Sequence, residues 1–312
     1  MLFKYQQFLF NLPVISLNNE EKIFLIPVKL IISFTISLCL SLPVIAKDSI
    51  NTDEEMTSGV IFPLTRLYPD YIANPLRPTF SFQGINYSET TITDTSRRRF
   101  DLKVGGNIGV YRSQPEKNKR GWQFTLGAGF HGEFDPESAE DNVGWDGIIA
   151  LSIEMRFNET FAHRFGLHHI SSHIGDELIE RTGLKRINYT RQEIRYGLMW
   201  FMSPHWQSYL EVGRAYDLRN KLLQKRWRTE LGIQYENNKY WSSKLGWYMG
   251  GDFSGYEENN WDINTALQLG LVTSINNKKF RLGFELYNGR SPLGEFFQTR
   301  EKYIGLGFWI DI

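Results

Sequence analysis

Apolar and polar residues alternate with a period of two over most of this chain. From Trp261 to Ile275 the odd positions are Trp261, Ile263, Thr265, Leu267, Leu269, Leu271, Thr273 and Ile275, whereas the even ones include Asp262, Asn264, Gln268 and Ser274. Trp227, Thr229, Leu231, Ile233 and Tyr235 alternate likewise with Arg226, Arg228, Glu230 and Gln234. Trp145, Ile149, Leu151, Ile153 and Met155 do so with Asp146, Ser152, Glu154 and Arg156. Side chains two apart share a strand face, so each segment has one greasy face and one wet one. Twelve strands are predicted, near 79–88, 99–112, 121–131, 145–157, 161–173, 187–201, 206–217, 225–237, 240–250, 261–275, 279–288 and 302–312. Most approach the ~9–11 residues that a tilted strand needs to cross a bilayer.

Such a period fits a soluble sandwich as well as a membrane barrel, and the connections separate the two. With both chain ends on the periplasmic side, the turns Asn158 to Thr160, Met202 to His205, Asn238-Lys239 and Asn276 to Lys278 fall there. The longer connections 132–144, 174–186 and 289–301 fall outside, and Ser113 to Arg120 is a long exception on the inner side. Short periplasmic turns with longer external loops are the habit of outer-membrane barrels. Trp206, Tyr235, Tyr240, Trp241 and Trp309 are expected in a lower aromatic girdle, and Trp145, Trp227 and Trp261 in an upper one. The last strand sends Ile304, Leu306, Phe308, Ile310 and Ile312 to the greasy face. On the wet face lie Asp101, Lys103, Glu154, Arg156, Arg164, Glu211, Arg226, Arg228, Glu230, Lys244, Arg281 and Glu285. Side chains of this length and of both signs meet across a narrow lumen, which speaks against a wide pore.

The expected fold is therefore all-β: a single transmembrane antiparallel β-barrel of about twelve strands, residues 79–312, in the bacterial outer membrane. The apolar run Leu30 to Ala46 follows Lys22 and Lys29 and ends Val44-Ile45-Ala46 before Lys47, the layout of a cleaved secretory signal over residues 1–46. Residues 47–78, with Pro63, Pro69, Pro75 and Pro78, are expected to be an extended periplasmic lead-in. Composition adds little to this. The 35 basic and 35 acidic side chains point to no nucleic acid. Cys39 is the only cysteine and lies in the signal, so the exported chain depends on its own core or on lipid, without disulfides.

Candidate chemistry is densest from Gly166 to Glu177, which carries three of the six histidines. Parity puts His169, Ser171 and His173 on the greasy face, at the outer edge of the fifth strand. His-x-Ser on a strand brings imidazole and hydroxyl to one side, about 6–7 Å apart at the backbone, where the base can serve a serine nucleophile. Asp176 and Glu177 are candidates to orient the imidazole, and Arg191 or Glu193 to position a substrate phosphate. The alternative is a polar collar, with His168 and Ser172 hydrogen-bonding in the lumen mouth. Gly175 would then make a positive-φ turn, and Asp176 and Glu177 would pair with Arg181 or Lys185. His169 and His173, about 13 Å apart on an extended strand, do not make a metal site, and no cofactor motif is present.

The His-x-Ser pair resembles that of the outer-membrane phospholipase A and lipid A deacylase barrels, in which such a pair faces lipid; those families continue with Asn, where Ser172 and His173 follow here. A broader resemblance rests on Tyr71-Ile72-Ala73-Asn74-Pro75 with Arg77-Pro78, on Leu167 to Glu177, and on Tyr287 to Phe296. These blocks are similar to a family of bacterial barrels catalogued as domain of unknown function 1207. The resemblance implies an outer-membrane barrel whose partners are outer-membrane lipids and the outer-membrane assembly machinery. A structural or lipid-interacting role is expected. The alternatives are an acyl-ester hydrolase using His169 and Ser171 on outer-leaflet lipid, and a narrow channel.

Overall fold

The computed structural model describes residues 59–312 except 115–118, 139–140, 238, 240–244, 276–277 and 312. The expected signal, the rest of the chain before Gly59, Tyr240, Trp241, Lys244 and Ile312 lie outside the described residues. A short strand, β1 (Val60–Ile61), precedes twelve long ones: β2 (Phe80–Thr90), β3 (Arg98–Arg112), β4 (Gly121–Asp135), β5 (Asp141–Arg156), β6 (Phe161–Ile174), β7 (Thr190–Phe201), β8 (Trp206–Leu218), β9 (Trp227–Asn237), β10 (Leu245–Tyr256), β11 (Ile263–Ile275), β12 (Lys278–Arg290) and β13 (Arg300–Asp311). One helix, α1 (Asp176–Thr182), follows β6.

All twelve predicted strands are present. Each of β2 to β13 pairs antiparallel with its neighbours in sequence, and β13 pairs with β2, so the sheet closes and leaves no long edge. Closure is what the alternation requires: Phe82, Leu231, Leu269, Phe284 and Leu306 point outward and are exposed, whereas Gln83, Glu211, Arg228, Glu230 and Glu285 point inward and are buried. Several strands run past the predicted ends. The connection expected at 132–144 is largely paired strand, because β4 and β5 continue to Asp135 and Asp141. Aromatic contacts band both ends: Trp206 with Tyr235 and Tyr111 with Trp122 at the end where β2 begins and β13 stops, Phe130 with Trp145 at the other. Trp309 is a correction. It is buried at 1% exposure and points into the lumen, as its parity with outward-facing Phe308 demands.

Ion pairs fill the lumen. Arg228 reaches Glu193, Glu211 and Glu230 from three strands, Arg164 adds a second cation to Glu211 at 2.6 Å, and Arg99 joins Glu133 and Glu301, both at 3.1 Å. Charges taken out of water this completely persist only when paired and hydrogen-bonded. Arg226 departs from the expectation, lying exposed in the β8–β9 connection.

The proline-rich lead-in is also placed differently from the extended periplasmic segment expected. β1 pairs with the end of β3 that β2 does not reach, and residues 66–77 then cross the lumen. Arg66 and the Tyr68 amide bond Glu154, Tyr71 donates to Glu211 at 3.2 Å, the Ile72 amide to Gln234, Asn74 to Glu230 and Arg77 to Asp311. Tyr71 stacks on Tyr209 with ring centroids 3.7 Å apart, and a Cβ at Gly197 would lie 2.6 Å from the Tyr68 hydroxyl. The prolines interrupt regular pairing, and inward carboxylates and amides receive the backbone groups that remain. Burial pushes the Tyr71 phenol well above its ordinary value, so it stays a donor toward Glu211.

The opposite mouth is closed by α1 and the 291–299 loop. Ile92, Val143, Ile174, Leu178, Leu293 and Phe296 form an apolar cap. Beneath it the Gly294 amide donates to Asp146, the Glu295 amide to the Ser172 hydroxyl at 2.8 Å, and the Ile187 and Tyr189 amides to the Glu295 carboxylate, each at 2.7 Å. Two of the sequence blocks that carry the family resemblance thus meet in one hydrogen-bonded lid.

Candidate active site on the outer face of β6

Strand parity divides the histidine-serine stretch between two environments. His168, Ile170, Ser172 and Ile174 are buried inside the barrel, and His169, Ser171 and His173 lie on the outer face. Below His169 that face carries Leu167, and across the strands Ile194. Above Ser171, His173 stacks on Trp145 with centroids 4.3 Å apart. The pair therefore sits between the apolar belt and the aromatic ring at the loop-bearing end.

Directly across β7, Gln192 opposes His169 and Thr190 opposes Ser171. Gln192 is held from its far side. The Tyr216 hydroxyl donates to Gln192 Oε1 at 3.1 Å, and Gln192 Nε2 donates to Asp217 Oδ2 at 3.1 Å. A register shift between β7 and β8 at Gln192/Glu193 makes this possible, because it leaves the successive residues Tyr216 and Asp217 both outward and exposed. Since a carboxylate only accepts, Asp217 fixes which end of the amide is nitrogen, and the second lone pair of Oε1 is left for an imidazole N–H. Ser171, His169, Gln192 and Asp217 form a polar row on the outer face, above Leu167 and Ile194.

The other candidates are placed elsewhere. Asp176 and Glu177 open α1 and are exposed, with five steps of extended strand, roughly 17 Å, from His169 to Ile174. Asp176 bonds Arg186 at 2.5 Å rather than Arg181 or Lys185, and Arg181 pairs with Asp94 and Asp141. Arg191 and Glu193 are buried inside the lumen against each other, so neither reaches a lipid-facing substrate. Arg191 also holds Glu258 in the 257–259 turn at 2.8 Å; burial pushes that carboxyl up, and the guanidinium pulls it back. Gly175 has φ −60°, not the positive φ expected; glycine is required there because a Cβ would lie 1.6 Å from the Asn142 carbonyl oxygen. The positive-φ residue is Gly183, at +68°, which ends α1.

Within the lumen Asp101, His131 and Glu133 lie close enough to share a metal ion. Lys103 approaches Asp101 at 3.6 Å and Arg99 approaches Glu133 at 3.1 Å, so cations of the chain already hold both carboxylates. Gln192 was legible in the sequence, since the alternation that sends Ile194 and Trp200 outward sends it outward too. The contribution of Tyr216 and Asp217 depends on a register shift that alternation cannot show.

Among solved structures the barrel is similar to outer membrane phospholipase A from Escherichia coli, at 11% identity and TM-score 0.55, covering 80% of this chain and 95% of that one. It is similar also to the Salmonella typhi outer membrane phospholipase dimer with bound calcium, at 10% identity and TM-score 0.54, covering 76% and 94%. The KdgM porin matches more loosely, at 11% identity and TM-score 0.44, covering 75% and 99%. The likeness to the two phospholipases is one of fold, and it supports an outer-membrane location. Among curated proteins none matches this chain. The match to the family described as "Protein of unknown function (DUF1207)" runs over residues 40–311, nearly the whole chain, and the chain belongs to that family.

Proposed function

We propose that this barrel acts on lipid from its outer face, as an acyl-ester hydrolase of outer-leaflet phospholipid or lipid A. The observation that carries the reading is the row Ser171, His169, Gln192, Asp217 at the upper edge of an apolar wall, where the ester bonds of lipid lie. Ser171 Oγ attacks the acyl carbonyl carbon while His169 takes the hydroxyl proton; the imidazolium returns that proton to the departing alcohol, leaving an acyl-serine. Water, deprotonated by the same imidazole, then cleaves the acyl-serine to fatty acid and free Ser171. Gln192 holds the imidazole, and Asp217 holds Gln192. A fold shared with phospholipases raises the reading without deciding it.

The filled lumen does not favour the channel alternative, since the lead-in and its ion pairs occupy it. The test is mass spectrometry of phospholipids and lipid A from cells expressing wild type or Ser171→Ala. Deacylated species present only with wild type support the hydrolase. Identical profiles would overturn it and leave a lipid-interacting scaffold.

A further inference from the structure

On the wall made by β11, β12, β13 and β2, the outer face opens into a groove of about 460 Å³. Leu267, Leu286 and Ile304 floor it and are neighbours across three strands. Toward the loop-bearing end the lining becomes polar, with Asn86, Asn288, Lys302 and Arg97. A register shift at Lys302/Tyr303 inserts Ser88 between the paired residues Tyr87 and Glu89, and Ser88 caps the Lys302 carbonyl. This bulge locally disrupts the β13–β2 ladder beside the groove.

The four polar lining side chains are exposed, and among the described residues none of them makes a hydrogen bond or ion pair with protein. Glu89 is the Cα partner of Lys302 without pairing with it, and Arg98 faces outward beside Asn86. The buried arginines Arg99, Arg228 and Arg281, by contrast, are each held by carboxylates. Two unpaired cations and two amides thus border an apolar floor, Asn86 beside Ile304, and the floor continues downward through Phe284 and Leu306.

We infer that this groove is a binding site for a phosphate-bearing lipid, with one acyl chain along Leu267, Leu286 and Ile304 and the phosphate between Arg97 and Lys302. The apolar floor matches a hydrocarbon chain. The cations sit where headgroup phosphates lie, and Asn86 and Asn288 add donors to phosphate oxygens. The site lies on a different wall from Ser171, and the inference does not rest on the hydrolase reading.

The experiment is native mass spectrometry of the purified barrel with phosphatidic acid and, as the matched lipid without phosphate, diacylglycerol. Wild type should retain phosphatidic acid, and Arg97→Glu/Lys302→Glu should weaken retention roughly tenfold or more while leaving heat-modifiable gel mobility intact. Leu286→Trp, which fills the floor without changing charge, should weaken it as well, and Ser171→Ala should not. Equal retention of the two lipids by wild type, or equal retention of phosphatidic acid by wild type and the charge-reversed variant, would overturn the site.

Discussion

Ser171 and Ser172 are adjacent and have unrelated surroundings: one faces the apolar wall, the other receives the Glu295 amide under the lid. Their separation follows from the two-residue period alone, so it was legible in the sequence, as was the outward aspect of His169. Asp176 and Glu177 follow His169 closely in sequence but lie on α1 beyond the end of β6, since proximity along the chain is not proximity in space once α1 begins. Predictions at this scale follow from the row. Ser171→Ala and His169→Ala should each lower acyl release by about a thousandfold or more, since nucleophile and base act as a unit. Gln192→Ala should cost up to about a hundredfold by freeing the imidazole, and Asp176→Asn should change little; initial rates of fatty-acid release from mixed micelles check all four. Inside the lumen, Glu211→Ala leaves Arg164 and Arg228 without their shared anion and should destabilise the barrel by about 3–5 kcal/mol, read from urea unfolding in detergent.

At the scale of elements, alternation located every long strand, because a barrel wall between lipid and a polar lumen obliges each strand to show it. Ends were less legible. β4 and β5 continue pairing beyond the segments that alternate cleanly, since backbone ladders need no particular side chain. The path of the lead-in is less legible still: its prolines exclude regular pairing, yet its polar backbone groups find partners on the inward side chains Glu154 and Gln234. Gly175→Ala tests the junction of β6 with α1. With the Asn142 carbonyl in the way, the backbone must shift, and a loss of about 1–3 kcal/mol is expected. The loss should appear as faster proteolysis in the 175–189 connection, with the barrel itself still heat-modifiable.

For the whole molecule, the closed sheet encloses a lumen that, among the described residues, is occupied by ion pairs, the lead-in and the hydrogen-bonded lid. In planar bilayers the intact protein should conduct little. Deletion of residues 59–78 should raise conductance, because the lead-in joins Glu154, Glu211, Gln234 and Asp311 across the axis. Covalent trapping tests whether Ser171 on the outer face is a nucleophile. A long-chain alkyl fluorophosphonate is incubated with the purified protein in micelles, and the adduct is mapped by peptide mass spectrometry. One adduct on Ser171, lost in Ser171→Ala and strongly slowed in His169→Ala, is the predicted result. Labelling that is absent, or unchanged when Ser171 is replaced, would contradict it.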